Sequence, residues 1–195
     1  LLIFCFLDKL VKLKKEFIIF LIVFSTLLIF ILVAKNHDDF PYYHFPYTIF
    51  LTEFSHPIGF GQYNNGFRSP SSIFFLNSMF YLPGVNIYSF HISSAIILGF
   101  TNLIFIKIIF NKKLFYECKY INILSLMFFS FINIFFYRLA EHGTDRSGMI
   151  LIMVSIIFFL YLINHKKIFE NIDIMKFLII TICYVSTIKP FYLIN

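Results

Sequence analysis

Met149 to Asn164 reads MILIMVSIIFFLYLIN, a run without a single formal charge. As a helix rising about 1.5 Å per residue, such a run is read as a crossing of a hydrocarbon core about 30 Å thick. Four other runs have the same character. Phe17–Ala34 is uncharged, Asn86–Phe110 is interrupted only by His91 and Lys107, Ile121–Tyr137 is clean, and Phe177–Ile194 holds one lysine, Lys189. No small-x-small cleavage site follows the first run, so it is expected to stay as a helix. The reading is an all-α, polytopic transmembrane bundle of about five spans: 17–34, 86–110, 121–137, 149–164 and 177–194.

Composition agrees. Of 195 residues, 59% are hydrophobic and 13% charged, with mean hydropathy +0.84. A soluble domain carries about 25% charged residues, and a disordered chain needs low hydrophobicity, so both classes are excluded. The 30 phenylalanines read as lipid-facing filler. Leu1 in place of an initiating Met, and a stop at Asn195 just past an apolar run, predict a single transmembrane domain that is a piece of a longer protein. Cys5, Cys118 and Cys183 lie in or near apolar runs or on the inner side, so no disulfide framework is expected.

Charge sets the direction. Eleven of the sixteen cations, from Lys9 to Lys176, fall before span 1, between spans 2 and 3, between spans 4 and 5, or at Lys107. The positive-inside rule then makes the amino terminus cytoplasmic and turns the loops 35–85 and 138–148 outward. Acids divide evenly, so the net charge of +6 lies inside. It reports orientation rather than a nucleic-acid groove, and no nucleic-acid partner is expected.

The first outer loop, 51 residues from Lys35 to Val85, is too long for a simple connector. It opens KNHDDFPYYHFPY, with Asp38 and Asp39 adjacent and His37 and His44 close by. Pro46 is expected to start a short helix whose stripe Tyr47, Phe50, Leu51 and Phe54 lies on the membrane surface, with Thr48, Thr52, Ser55 and His56 on the wetter face. Pro57–Pro70 reads as a mobile loop, with Asn65-Gly66 a positive-φ turn. Ser71 or Ser72 then caps a second juxtamembrane helix, Ile73–Leu82.

Two adjacent carboxylates repel, which raises the affinity of one for a proton and suits it to act as a base. As plain helix-end anchors they would do neither. A divalent cation stays open as a cofactor, since His37 or His44 completes a ligand set with the pair, although the spacing fits no named zinc motif. The second outer loop, YRLAEHGTDRSG, gathers Arg138, Glu141, His142, Asp145 and Arg146. All three arginines of the chain face outward, and Arg is the bidentate binder of phosphate and carboxylate. Lys189 either snorkels to the interface or points into an outward-facing cavity.

An acidic pair directly after the first span, then a long outer loop with two short juxtamembrane helices, resembles the amino-terminal part of GT-C glycosyltransferases. HDDFPYYHFPY, NNGFRSPSSIFFLNSMFYLP and AEHGTDRS also resemble a group of uncharacterised bacterial integral membrane proteins built on that plan. The resemblance implies inverting transfer of a sugar from a polyprenyl-phosphate carrier to an acceptor at the outer face, in contact with the lipid bilayer. It implies Asp38 or Asp39 as general base. Arg138, Arg146, Lys189, His44, Glu141 and His142 are the candidates for binding substrate and phosphate. A transporter or flippase component and a non-catalytic assembly subunit are the competing readings. A proton- or ion-coupled pump places carboxylates within its spans, whereas the five runs here hold none.

Overall fold

A computed structural model describes residues 14–27, 38–55, 59–68, 70–82, 84–85, 87–139, 143–164 and 172–189. The chain is all-helical, with no strand among these residues. Residues 14–27 form α1. A π-helical turn, Phe40–His44, leads into α2 (Phe45–Glu53), and α3 (Ser72–Ser78) follows. The long apolar runs supply α4 (Ile92–Ile109), α6 (Lys119–Phe135), α7 (Asp145–Asn164) and α8 (Ile172–Ile188), with the short α5 (Lys112–Glu117) between α4 and α6.

Among the described residues, two helices are long and apolar enough to cross a membrane: Ser89–Ile109, which includes the 3-10 turn before α4, and Asp145–Asn164. Helices α6 and α8 have 17 residues each, about 26 Å of rise, short of a full hydrocarbon core. The expected first run continues past residue 27, outside the described residues, as does the end of the fifth run beyond Lys189. Helix boundaries also differ from the apolar runs. Helix α7 starts at Asp145, four residues before Met149, because an acid in the first turn favours the helix dipole. Helix α8 starts at Ile172 and takes in Asp173 and Lys176, which lie exposed.

Helix α4 is the centre. Its Gly99 admits Leu27, Phe20 and Val23 of α1, and Phe20 and Phe100 meet ring to ring at 4.4 Å. Lys107 and Glu16 pair at 3.0 Å, which sets α1 and α4 antiparallel. On another face, Asn102 of α4 and Asn133 of α6 exchange amide hydrogen bonds of 3.1 and 2.8 Å. This is the kind of polar link that holds apolar helices where no hydrophobic effect separates them from their surroundings. Large apolar side chains remain exposed on the outward faces of α6, α7 and α8, among them Met127, Ile134, Phe159 and Ile180.

The juxtamembrane segments depart from expectation in three ways. Tyr47 is fully buried and Phe50 and Leu51 pack against the core, so all of the α2 stripe but the exposed Phe54 turns into the protein rather than onto a membrane surface. It stacks on Phe60 and Phe67 at 5.5 and 5.3 Å and meets Phe74 edge-on. Thr48 on the supposedly wet face is buried too, its hydroxyl donating to His44 O. The segment 59–68 packs as two 3-10 turns, Phe60–Gln62 and Asn65–Phe67, joined by parallel rings of Phe60 and Phe67 4.4 Å apart. Helix α3 ends at Ser78 instead of Leu82, because the Ser78 hydroxyl donates to Phe75 O and the following N–H groups turn back by three residues.

Candidate functional site

Asp39 begins the π-helical turn. Its carbonyl accepts from the N–H groups of Tyr42, Tyr43 and His44, and its side chain does not cap the turn. Pro46 has no N–H to give to Tyr42 O, and the chain closes the turn with a Phe45 N–H to Phe40 O bond one residue wider than α. Tyr43, four residues on and bonded through its N–H to Asp39 O, lies over Asp39, and the Tyr43 hydroxyl donates to Asp39 Oδ2 at 3.3 Å. Asp39 is half-buried, while its neighbour Asp38 is exposed. Tyr43 titrates well above its ordinary value of 10, at about 12. Burial is the main cause, followed by the charge of Asp39, its hydrogen bond, and the charge of Asp145.

The loop below holds that tyrosine in place. Asn64 accepts from Gly66 N at 2.8 Å and donates through Nδ2 to Tyr42 O at 2.9 Å. Gly66 does not adopt positive φ, contrary to the expected turn; the positive-φ glycines among the described residues are Gly59, Gly84 and Gly143. Gly66 is needed for room, since a Cβ there would stand 2.3 Å from Tyr43 Cγ.

A cavity of about 240 Å³ opens beside Tyr43, lined also by Asn65, Ser71, Thr144, Ile188 and Lys189. Five parts of the sequence therefore meet here: the π-turn, the 3-10 turn, the start of α3, the start of α7 and the end of α8. The Ser71 hydroxyl, which caps α3, donates to Ile188 O at 2.7 Å, and Thr187 donates to Ser72 Oγ at 3.0 Å. Lys189 forms an ion pair with Asp145, whose Oδ1 also accepts from Thr144. The pair joins the amino end of α7 to the carboxyl end of α8, the polarity that both helix dipoles favour.

A second cavity, about 230 Å³ and almost wholly apolar, lies between α4, α7 and α8 against Phe100, Ile104, Val154, Phe177, Thr181 and Tyr184. Phe177, Thr181, Tyr184 and Ile188 follow one another at helical spacing along α8, so one stripe of this helix leads from the apolar groove to the polar cavity. From Thr181 to Ile188 the rise is about 10 Å.

Of the site residues expected from sequence, Asp39 and Lys189 come to this end of the molecule, Asp39 through Tyr43. His44 lies beneath it, buried between Tyr43 and Phe74, with Gly143 so close that a Cβ would stand 2.9 Å from His44 Cε1. Neither Arg138 nor Arg146 lines this cavity. The Arg138 guanidinium lies over the Tyr137 ring and donates to its hydroxyl, and Arg146 lies over Phe136. Planar guanidinium groups stack on neighbouring rings, and the local sequence FFYR supplies them. Glu141 and His142 lie outside the described residues. Tyr43 and Asp145 were not among the expected site residues; the crowd of phenols beside Asp39 was the one signal for the first. Among the described residues, no three His, Cys, Asp or Glu side chains converge to hold a metal ion. Comparison with known protein families, curated proteins and solved structures gives no match.

Proposed function

We propose that the chain is part of a membrane-embedded, GT-C-type glycosyltransferase, a polytopic bundle that moves a sugar from a polyprenyl-phosphate carrier to an acceptor at the outer membrane face. The observation that carries this reading is the stripe along α8, which joins an apolar groove open at the helix surface to a polar cavity ending in a lysine. An amphiphile with a long apolar tail and a phosphate head has that distribution of chemistry. The apolar residues exposed on α6, α7 and α8 suit contact with lipid.

In this reading Asp39 takes the proton of the acceptor hydroxyl. The acceptor oxygen attacks the anomeric carbon from the face opposite the leaving group, with inversion. The bond from that carbon to the phosphate oxygen breaks, and its electron pair leaves with the polyprenyl phosphate. Tyr43 fixes the carboxylate by its hydrogen bond, and Lys189, released by Asp145, stabilises the charge growing on the phosphate. A positioned base contributes typically about 10²–10⁴ in rate.

The test is transfer of a radiolabelled sugar from polyprenyl phosphate in membranes containing the protein. Asp39→Asn is expected to abolish transfer with expression intact, and Asp38→Asn to leave most of it. Equal activity in both variants would remove the assignment. Impermeant labelling of single cysteines at 39 and 146 is expected to reach both from the same compartment.

A further inference from the structure

The outer end of the molecule exposes two kinds of aromatic and apolar surface, and they differ in their surroundings. One is Phe54, Phe75, Met79 and Leu82, exposed hydrocarbon on and after α2 and α3. The other is Tyr42 and Tyr63, 71% and 84% exposed, the most open rings of the outer loop. Every other exposed side chain in the 3-10 segment beside them (Gln62, Asn65 and Arg68) ends in an amide or a guanidinium. The Asn64 amide bonds Tyr42 O, so the residue after one tyrosine is fastened to the backbone of the other. Tyr63 also rests on Phe60 at 6.1 Å, with the packed stack of Phe60, Phe67 and Tyr47 behind it. Both rings are thus mounted on ordered backbone yet open to solvent.

A hydrocarbon environment would not suit the segment in which Tyr63 stands among exposed amides and a guanidinium, since a polar group buried without a partner costs free energy. A pyranose suits it. One face of the sugar presents C–H groups that lie on an aromatic ring, and its rim presents hydroxyls that amides bind by donating and accepting and a guanidinium by donating. We infer that Tyr42 and Tyr63, with Gln62, Asn65 and Arg68, form a platform for a glycan chain. The platform adjoins the polar cavity, because Asn65 lines it and Tyr42 precedes Tyr43. This rests on the proposed transferase reading, and it makes the acceptor a saccharide whose sugar units lie on the loop while its terminal hydroxyl reaches Asp39.

The platform is tested by binding alone, without turnover. The full chain in lipid nanodiscs is mixed with maltotriose and, separately, with the trimer of N-acetylglucosamine, and saturation transfer to the sugar C–H protons is recorded by NMR. Transfer to at least one is expected. It should weaken roughly tenfold in Tyr42→Ala/Tyr63→Ala, the equivalent of about 1.4 kcal/mol, and persist in Tyr42→Phe/Tyr63→Phe, which keeps the rings. Asp39→Asn should bind the sugar unchanged while losing transfer, which separates a failed platform from a failed transferase. No transfer to either trisaccharide, or equal transfer in the double alanine variant, would overturn the platform. So would quenching of fluorescence from a tryptophan introduced as Tyr63→Trp by lipids brominated on their acyl chains, which would assign these rings to the bilayer.

Discussion

Gly66 lies flat against the ring of Tyr43, and a single carbon added there would overlap the ring at 2.3 Å. The contact passes between the 3-10 turn and the π-turn, so it fixes the tyrosine that in turn holds Asp39. Gly66→Ala is therefore expected to destabilise the protein by about 1–3 kcal/mol through overpacking. Gln62→Ala, on the exposed side of the same segment, should stay within roughly 0.5 kcal/mol. Thermal unfolding of both variants in detergent, each against the unaltered protein, checks the contrast.

Tyr43 should ionise at about 12 rather than at its ordinary 10. Because the folded state holds the phenol's proton more tightly than the unfolded chain does, this group's contribution to stability is complete below pH 10. It is lost as pH rises from 10 to about 12. A phenolate absorbance titration of the protein minus that of Tyr43→Phe isolates the step. Asp39→Asn should move it down toward 10 without reaching it, since burial, the largest cause, remains.

Lys189 and Asp145 are each about half exposed, so their pair contributes at most about 1 kcal/mol to folding. Its weight falls on the proposed donor site instead. Lys189→Met is expected to raise the KM for the polyprenyl-phosphate donor, and Asp145→Asn, which frees the ammonium, to lower it, each roughly threefold. Steady-state kinetics at varied donor concentration measure both. Shifts of the same sign would separate Lys189 from the phosphate.

The Asn102–Asn133 pair predicts a strongly non-additive cycle. Asn133→Leu leaves the buried Asn102 amide without these bonds, at about 1–3 kcal/mol, whereas Asn102→Leu leaves the half-buried Asn133 amide still donating to Phe129 O and costs less. The double leucine variant leaves neither orphan and should cost less than the sum of the two. Unfolding by a chaotropic detergent, followed by circular dichroism, reads all four corners.

The helices were legible because the apolar runs are long and nearly free of charge. Their starts were not, since counting apolar residues ends a helix at the first charge, whereas Asp145 and Asp173 are well placed in first turns. Asp39 and Lys189 could be found from charge and side. Tyr43 could not be singled out among its neighbouring phenols, because its role depends on its place over Asp39 and on contact with Gly66, 23 positions away in the chain. The place of the arginines outside this cavity has a related reason. Charge tells which side of a membrane a guanidinium occupies, and the rings beside it decide where it points.

Ser71 does two things at once: it caps the first turn of α3 and holds the last carbonyl of α8. Sliding α8 along its axis by one turn, about 5.4 Å, would break the bond from this hydroxyl to Ile188 O and strand a buried donor. A piston-like stroke of the last helix therefore carries the start of α3 with it or gives up this tie.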